Sequence, residues 1–491
     1  MRILIKGGMI HRFHGKQSDF YPADILIREN KIADIQEKLD IEADQTINAS
    51  GCLIMPGLIN AHIHTYCHYV KGCFDNLPWD LWMLMTRPYF SGKKETPEDV
   101  YARTLFGCIE LLKNGTTLVM DDLSVSPALD GELYDAVMQA YHDAGIRADV
   151  TVDVLNKPAY ACIPYLDEEM PASMKQRLDA LTLKDESRIL SYMEEKIQQY
   201  NEPGAVQRCI LAPSAPQRCT ISLMKGIRKL SEKYDIPVVT HVLESPMQKE
   251  FAYLKYGKSL VKWMDENDLL YPNLNLMHGV WIEKEDMETI ARHGCRIVHN
   301  PGSNLKLGSG IAPMEEILSA GIEVGLGTDN TSCSDTLNLF EEMKLAGMLH
   351  KLRTVDYHKW LGAQEAIHMA TMGGAACAGR KKELGSLEVG KLADMIILET
   401  NNERFTPANN YVNQMVFCEN GRSVRDVFVD GKVVIRNGKI TTFNEEGAVR
   451  KFREILESDM NWQKEIAQKE AAEVFPVFEK AYFRTLRDRY R

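Results

Sequence analysis

Short apolar runs recur through the middle of the chain, and each is separated from the next by a stretch with helix-like spacing of apolar residues. Strand and helix alternation of this kind, with eight repeats over about 320 residues, predicts a (β/α)8 TIM-type barrel. A doubly wound sheet is the competing architecture, but no glycine-rich phosphate turn follows the first run. The eight runs read CLIMPGLINAHIH, TTLVMDD, IRADVTVDVL, QRCILAPSAP, IPVVTHVLES, LNLMHGV, CRIVHNP and IEVGLGTDN.

Both ends of the chain carry a different pattern, made of short β-rich runs and glycine turns such as ILIKGGMI and VRDVFVDGKVVIRNGKI. We therefore predict that the two ends together form a small composite β-sandwich domain. The predicted segments are residues 1–57 for the first part of the sandwich, 58–379 for the barrel, 380–443 for the second part and 444–491 for a helical extension.

Two segments interrupt this plan. Residues 156–202 form an insertion after the third strand, on the side where barrel strands end, and are placed to act as a lid. Residues 444–491 mix apolar and charged positions in a helical pattern, so this extension is expected to pack on its own barrel or on a second subunit. A homo-oligomer, a dimer or higher, is the predicted assembly.

Composition narrows the class of protein. The chain has 491 residues, 45% hydrophobic and 26% charged, which is typical of a globular protein with a large core. The net charge is −11 and no dense basic stripe is present, so nucleic acid is not expected as a partner. No apolar run reaches about 18 residues and no secretory leader precedes the first strand, so we predict a cytoplasmic protein without a membrane partner.

The chemistry-bearing residues lie where the predicted strands end. His62 and His64 stand two apart on the first strand, so both imidazoles point to one face. This pair alone is a weak signal, because buried histidines are often structural. His241, His278 and Asp329 end later strands, and the ends of barrel strands converge on one face.

Three imidazoles and one carboxylate suit a catalytic divalent ion with an open position for water. We predict His62, His64, His241 and Asp329 as ligands of one Zn2+ per subunit, with Fe2+ as the alternative. Glu244 is the expected proton shuttle, although a carboxylate there could instead serve a helix start. His278 is either a further ligand or a group that stabilises developing charge. His299 also ends a strand and is set aside as structural.

The predicted substrate contacts lie in the loops around this face. Trp79, Trp82 and Met83 offer flat or soft apolar surface for a planar ring, or they pack the first helix against its loop. Asn304 either binds a ring nitrogen or caps a turn. A small-molecule heterocycle is the predicted partner.

Several longer stretches resemble the amidohydrolase superfamily, in the branch of adenosylhomocysteine/methylthioadenosine deaminases, guanine-type deaminases and triazine hydrolases. The resemblance spans about residues 50 to 400. It implies metal ligation by the four residues named above, catalytic roles for Glu244, His278 and Asp329, and one metal ion. The matching stretches are PGLINAHIH, KGCFDNLPWDLWM, HVLE, MHGVW, HNPGSNLKLGSGIAPM, LGTDN and GSLEVGKLADMIIL.

Two departures bear on the substrate. Members acting on adenosine derivatives resemble one another in a histidine motif after the fourth strand, where this chain has Ser214 in APSAPQRC. The segment GTDNTSCSD, with Asn330 and Cys333, is closer to the triazine hydrolases, whose corresponding loop lines the leaving-group side. No lysine ends the fourth strand, which disfavours a two-metal cyclic amidase.

The sequence therefore predicts a hydrolase that acts on carbon–nitrogen bonds other than peptide bonds. The expected reaction is deamination of a purine, pyrimidine, pterin or s-triazine by a hydroxide formed on the metal. Hydrolytic dechlorination or removal of an alkylamine from a triazine is the alternative. A non-catalytic scaffold is the third possibility, and the presence of every expected ligand argues against it.

Overall fold

The computed structural model describes residues 1–15, 17–86, 90, 95–125 and 128–487. These residues form two sheets, one parallel and one mixed. The strands are β1 Arg2–His14, β2 Gln17–Arg28, β3 Lys31–Gln36, β4 Gln45–Asn48, β5 Cys52–Pro56, β6 Leu58–Ile63, β7 Thr116–Asp121, β8 Arg147–Val154, β9 Gln207–Pro213, β10 Val238–Val242, β11 Leu274–His278, β12 Arg296–His299, β13 Val324–Leu326, β14 Met395–Glu399, β15 Val424–Val429, β16 Lys432–Arg436 and β17 Lys439–Ile440.

Strands β6 to β13 pair in sequence order, and all of their ladders are parallel. A parallel bridge between Ile63 and Asp329 joins the last strand region to the first. All eight predicted strands are present, and the prediction of a (β/α)8 barrel is confirmed. The interior is filled by small and branched side chains from alternate positions, namely Ile59, Ala61, Leu118, Met120, Ile210, Ala212, Val239, Met277 and Val298.

The second sheet draws its nine strands from both ends of the chain, as predicted. Strand β1 belongs to two neighbourhoods, because Ile3–Lys6 pair with β4 whereas Met9 and Ile10 pair with β5. The register shifts between Ile5 and Gly8, where Gly7 has φ of +78°. This bulge bends the strand, so that residues from β1, β2, β5, β14 and β15 share one hydrophobic cluster.

Helices cover the outside of the barrel and its carboxyl-terminal mouth. Short 3-10 turns and one π-helical turn, Met369–Gly373, connect some of them. The α-helices are α1 Trp79–Thr86, α2 Pro97–Lys113, α3 Gly131–Ala144, α4 Leu166–Glu169, α5 Ala172–Leu181, α6 Glu186–Tyr200, α7 Ile221–Tyr234, α8 Pro246–Tyr256, α9 Leu260–Glu266, α10 Lys284–Arg292, α11 Pro301–Lys306, α12 Met314–Ser319, α13 Leu339–Leu349, α14 Ala363–His368, α15 Gly374–Cys377, α16 Tyr411–Phe417 and α17 Glu445–Leu486.

The insertion after the third barrel strand divides into two parts that pack differently. Helix α6 buries Ile189, Met193 and Ile197 in the main barrel core, so it is the ordinary crossover helix between β8 and β9. Helices α4 and α5 belong to a separate cluster above the mouth. The segment placed to act as a lid is therefore the first part of the insertion, about residues 156–183.

The carboxyl-terminal helix α17 lies on its own chain. Its residues Val474, Phe478 and Ala481 share a cluster with α1 and with helices α4 and α5 of the lid segment. Ion pairs from Arg484 to Glu168 and Glu169 add to this contact. Among the described helices, none is both long enough and apolar enough to cross a membrane.

Candidate active site

His62 and His64 lie at the carboxyl end of β6, inside the barrel mouth. Both are buried, and their ring centroids are 4.6 Å apart. The ring of His241, at the end of β10, lies 5.1 Å from that of His62 and 5.5 Å from that of His64. Strand ends separated by nearly 180 residues are therefore brought together, as the barrel topology requires.

Asp329 faces this cluster from the end of the eighth strand. Its Oδ1 lies 3.5 Å from Nε2 of His64 and 3.8 Å from Nε2 of His62. Its Oδ2 accepts a hydrogen bond of 2.7 Å from Oγ of Ser303. The carboxylate is thus held in one orientation with its other oxygen directed at the imidazoles.

Hydrogen bonds fix which nitrogen of each imidazole is available. Nδ1 of His64 donates to the backbone oxygen of Asp122 at 2.7 Å, and Nδ1 of His241 donates to the backbone oxygen of Ser214 at 2.7 Å. A carbonyl oxygen only accepts, so in each neutral ring the Nε2 lone pair is left free. This is how proteins orient histidines for a metal ion.

The donor set fits a divalent cation. Nε2 of His62 is buried and has no hydrogen-bond partner among the described residues. Burial first, and then the neighbouring imidazoles, lower the pKa of His62 well below its ordinary value, so the ring stays neutral. Neutral imidazoles with inward lone pairs, beside a buried carboxylate, are what Zn2+ or Fe2+ would coordinate.

Asp122 is a site residue that the sequence analysis missed. Its Oδ1 accepts a hydrogen bond from Thr151, whereas its buried Oδ2 has no partner in the described structure and lies 3.8 Å from Nδ1 of His241. Its ligand atom groups with those of the three histidines within 4.8 Å. The available signal was its position directly after the second strand, in TTLVMDD.

Glu244 and His278 lie beside the cluster of imidazoles and carboxylates. Both are buried, and Nε2 of His278 is 3.7 Å from Oε2 of Glu244 and 3.9 Å from Oδ2 of Asp329. Neither carboxylate oxygen of Glu244 has a hydrogen-bond partner among the described residues. Burial, followed by repulsion from Asp329 and Asp80, raises the pKa of Glu244 well above its ordinary value.

Three residues of this region have unusual backbone conformations. Leu243, His278 and Asp329 have φ values of +54°, +70° and +59°, in the left-handed region that residues with a Cβ rarely adopt. Such conformations persist where the surroundings over-determine them, and they cluster at functional sites.

The predicted substrate residues divide into two groups. Trp79, Trp82 and Asn330 line the cavity in front of the imidazoles. Asn304 lies behind His278, whose Nδ1 contacts its Oδ1 at 2.9 Å, and Cys333 is buried against Trp82. Neither Asn304 nor Cys333 is among the residues that line the cavity. In place of the expected substrate contact, the structure gives Asn304 a role in orienting His278.

The cavity has a volume of about 300 Å3 and opens between α1, the lid segment and the loop after β9. His299, which the sequence analysis set aside, points elsewhere: its Nε2 contacts Nε2 of His350 at 3.1 Å. Met83, which the sequence analysis named with Trp79 and Trp82, also lines the cavity. Besides the predicted residues, the lining includes Tyr66, Asp153, Pro158, Leu178, Leu181, Ser214, Gln217, Arg218 and Gln248.

Comparison with known proteins agrees with this geometry. The model of the Amidohydrolase family matches residues 53–434. A 5-methylthioadenosine/S-adenosylhomocysteine deaminase of Thermococcus kodakarensis is 33% identical over 438 residues, which is 89% of this chain and 94% of that protein. A 5'-deoxyadenosine deaminase of Methanobrevibacter smithii is 30% identical, over 88% of this chain and 93% of that protein.

Among solved structures, the atrazine chlorohydrolase of Arthrobacter aurescens TC1 complexed with zinc superimposes with a TM-score of 0.84 and 26% identity. The match covers 92% of this chain and 100% of the other. The relatives named as deaminases are hydrolases that act on carbon–nitrogen bonds, and the family match covers the whole barrel with every residue of the imidazole and carboxylate cluster. This chain belongs to the amidohydrolase family.

Proposed function

We propose that this protein is a mononuclear, metal-dependent aminohydrolase that removes an amino group from a carbon of a nitrogen heterocycle. One observation carries the proposal. His62, His64 and His241, from distant strands, bring their rings together at the barrel mouth, and Oδ1 of Asp329 lies 3.5 Å from Nε2 of His64. The buried carboxyl of Glu244 stands beside this cluster, and neither of its oxygens has a hydrogen-bond partner among the described residues.

The metal-binding roles follow from hydrogen-bond polarity. His62, His64 and His241 would hold the ion through Nε2, and Asp329 through the oxygen that Ser303 leaves free. Zinc is the ion we propose, because the imidazole and carboxylate set suits it and the related chlorohydrolase structure contains it. When bound, the ion supplies an activated water as the nucleophile.

The proton steps fall to this chain's own residues. Glu244 is buried, and its raised pKa favours uptake of a proton. Its carboxylate can therefore accept a proton from the attacking water and then deliver it to the departing nitrogen. His278 faces both Glu244 and Asp329, and its Nδ1 is oriented by Asn304. An amide oxygen only accepts, so Nδ1 is the donor and Nε2 of the neutral ring carries a lone pair. Nε2 is therefore positioned to accept a hydrogen bond from the attacking water.

The substrate ring is proposed to stack on the aromatic wall of the cavity, formed by Trp79 and Trp82. Two classes of ring remain in competition. The named relatives deaminate adenosine derivatives, whereas Ser214, in place of the histidine motif, favours a more compact ring such as guanine, a pterin or a triazine. The function class is the same for both.

A second candidate reaction is hydrolytic removal of chloride or an alkylamine from a triazine. It is favoured by the fold similarity to the atrazine chlorohydrolase, at a TM-score of 0.84. The same activated water and the same proton donor would serve either leaving group, so the site geometry alone is shared by both reactions.

The test uses zinc-loaded, full-length protein and a panel of adenosine derivatives, guanine, cytosine, pterins and triazines. Ammonia release from at least one amino-substituted ring is expected, and Glu244→Gln is expected to lower kcat by about 10²- to 10⁴-fold while the bound metal is retained. Glu285→Gln, an exposed change on α10, is the matched control. Release of chloride but no ammonia would establish the second candidate, and release of neither would refute both.

Assembly and location stay predictions. A homo-oligomer, a dimer or higher, and a cytoplasmic location are proposed on the sequence arguments given above. Size-exclusion chromatography with light scattering would measure the first, and a monomer at micromolar concentration would contradict it.

A further inference from the structure

The wall of the cavity formed by the turn after β9 contains two adjacent polar residues that the proposed mechanism does not use. Gln217 and Arg218 follow β9 in a short 3-10 turn, and both line the cavity. Gln217 is only 5% exposed, so its amide is not a freely rotating surface group. The question is which atoms this wall presents to a bound molecule.

A hydrogen-bond chain fixes the orientation of the Gln217 amide. The chain begins at Gln248, whose Oε1 accepts from the backbone N–H of Glu244 at 2.9 Å and whose Nε2 donates to the backbone oxygen of His241 at 3.0 Å. A backbone N–H can only donate and a backbone oxygen can only accept, so these two groups settle which end of the Gln248 amide is nitrogen.

The same Nε2 of Gln248 donates to Oε1 of Gln217 at 2.9 Å. The oxygen of Gln217 is therefore used, and its NH2 group is the polar group left to face the cavity. Within the described part of the chain, no acceptor is recorded for that NH2 group. Gln217 thus presents a donor, and the backbone of the loop after β10 dictates this choice.

Arg218 adds positive charge to the same wall. Its guanidinium lies over the ring of Trp79 at 5.4 Å and its Nη2 contacts Sδ of Met83 at 3.6 Å. It makes no ion pair with any carboxylate in the described ranges, although Asp80 and Glu244 are near enough for its charge to lower their pKa values against the larger effect of burial.

We propose that the substrate carries an oxygen acceptor, either a ring oxo group or a carboxylate, and that Gln217 and Arg218 recognise that oxygen. This inference rests on the proposed function for the identity of the ring, and it narrows the class to oxygen-bearing aminoheterocycles. Gln217 is a specificity residue whose polarity is set by Gln248. Arg218 is the group that distinguishes a carboxylate from a neutral oxo group.

The experiment inverts the polarity of one group without changing its shape. In Gln217→Glu, one carboxylate oxygen still accepts from Gln248, while the other replaces the cavity-facing donor by an acceptor. Arg218→Met removes the charge and keeps an unbranched side chain. Gln198→Glu, an exposed position on α6, makes the same chemical change away from the cavity.

Binding is measured by calorimetry on zinc-loaded, full-length protein in the Glu244→Gln background, so the result does not depend on turnover. The probes are guanine, which has a ring oxo group, S-adenosylhomocysteine, which has a carboxylate, and 5-methylthioadenosine, which has neither. We expect Gln217→Glu to weaken binding of one or both oxygen-bearing probes by about 100-fold and that of 5-methylthioadenosine by less than about 3-fold.

The second variant identifies the source of the oxygen. If the parent binds S-adenosylhomocysteine and Arg218→Met loses that binding, the oxygen is a carboxylate. If the parent binds guanine, Gln217→Glu weakens that binding by about 100-fold and Arg218→Met weakens it less, the oxygen is a ring oxo group held mainly by Gln217. Equal binding of all three probes by Gln217→Glu and its parent, or binding of neither oxygen-bearing probe by the parent, overturns the inference. If Gln217→Glu does not fold, Gln217→Leu removes the donor, and about 10-fold weaker binding of an oxygen-bearing probe is then required.

If the protein binds these probes in this way but releases ammonia from no ring of the activity panel, the proposed function fails and recognition of the oxygen by Gln217 and Arg218 survives. If the protein deaminates a ring of the panel but neither variant changes probe binding, the proposed function stands and recognition of an oxygen by Gln217 and Arg218 is refuted.

Discussion

Single side chains behind the metal-binding residues determine how well the proposed centre is pre-formed. Ser303 is buried and its Oγ donates to Oδ2 of Asp329 at 2.7 Å. Without this bond Oδ2 loses its donor, and the carboxylate is oriented only by Asn330, whose backbone N–H donates to Oδ1 at 2.8 Å. Partners of this kind typically contribute 10- to 100-fold to metal affinity. We therefore expect Ser303→Ala to weaken zinc binding by about 10- to 100-fold, measured by competition with a chelator of known affinity.

Ser309→Ala is the matched control for that change. Ser309 is also buried and lies in the same loop region, but its Oγ has no hydrogen-bond partner among the described residues. Its substitution should leave zinc affinity within about 2-fold of the parent. Equal affinities in the two variants would show that Ser303 does not orient Asp329.

At the same scale, His11 makes stability depend on pH. This residue is buried in the terminal sheet between Phe13 and Phe20, and burial lowers its pKa to about 4. The folded chain keeps the ring neutral, whereas the unfolded chain takes up a proton below about pH 6.5. The stability contribution is therefore present at neutral pH and is lost as the pH falls from about 6.5 towards 4.

The corresponding experiment compares urea unfolding at pH 7.5 and pH 5. His11→Leu should remove about 2 kcal/mol of the loss in unfolding free energy between these two pH values. His14→Leu, on the same strand with an exposed side chain, should leave the pH dependence as it is. A parent-like slope in His11→Leu would mean that other groups carry the acid sensitivity.

At the residue scale, only part of the candidate site could be predicted from the sequence. The strand-end residues His62, His64, His241 and Asp329 were predictable because strand periodicity and barrel topology together fix where they point. Contacts such as Ser303 with Asp329 were not, because they depend on loop conformations that no periodic pattern encodes. The same holds for the hydrogen bond between the side chains of Gln248 and Gln217, which are 31 residues apart. Its polarity is set by backbone groups that contact Gln248.

At the scale of elements, the eight strands were predictable because each is a nearly continuous apolar run between turn signals. The role of the insertion was only partly predictable. Its amphipathic pattern predicts helices, but only packing separates α6, which completes the barrel, from α4 and α5, which cover the mouth. The sequence does not determine where α17 packs, because its apolar face fits any complementary surface.

Helix α17 packs against the lid segment above the cavity. We therefore expect a loss of packing on this helix to weaken substrate binding. Phe478 of α17 is buried in the cluster that this helix forms with α1 and the lid helices α4 and α5. Phe478→Ala should cost about 3 to 5 kcal/mol of local packing, loosening the lid without touching the barrel core. We expect KM to rise more than kcat falls, and limited proteolysis to cut within residues 156–183 sooner.

The control for this change lies on the same helix. Phe483 is 57% exposed, so Phe483→Ala should change neither KM nor the proteolysis rate measurably. If Phe478→Ala instead lowers the unfolding temperature of the whole barrel, α17 belongs to the main folding unit and does not act on the lid segment alone.

In the whole molecule, the barrel and the terminal sheet are joined by a buried ion cluster at the amino-terminal end of the barrel. Arg147 begins β8, and its guanidinium binds both oxygens of Asp394 at 2.7 and 3.1 Å and Oδ1 of Asp430 at 2.7 Å. Both acids flank strands of the terminal sheet. The cluster is on the opposite side of the barrel from the active site, so the fold separates stability from catalysis.

The last prediction tests this separation. Arg147→Met leaves the buried carboxylate of Asp394 without its cation, and breaking a buried pair in this way costs about 3 to 5 kcal/mol of unfolding free energy. The double variant with Asp394→Asn should recover part of that loss, because the uncompensated charge is gone. Arg12→Met, which breaks the exposed pair with Asp19, should leave the unfolding free energy close to that of the parent, because solvent screens an exposed pair. Unfolding is followed in urea, and kcat and zinc content are measured at a temperature where every variant is folded.

Parent-like kcat and zinc content in Arg147→Met are expected, because the ion cluster and the metal centre are at opposite ends of the strands. A loss of zinc in that variant would show that the terminal sheet holds the active site in shape and would contradict the separation.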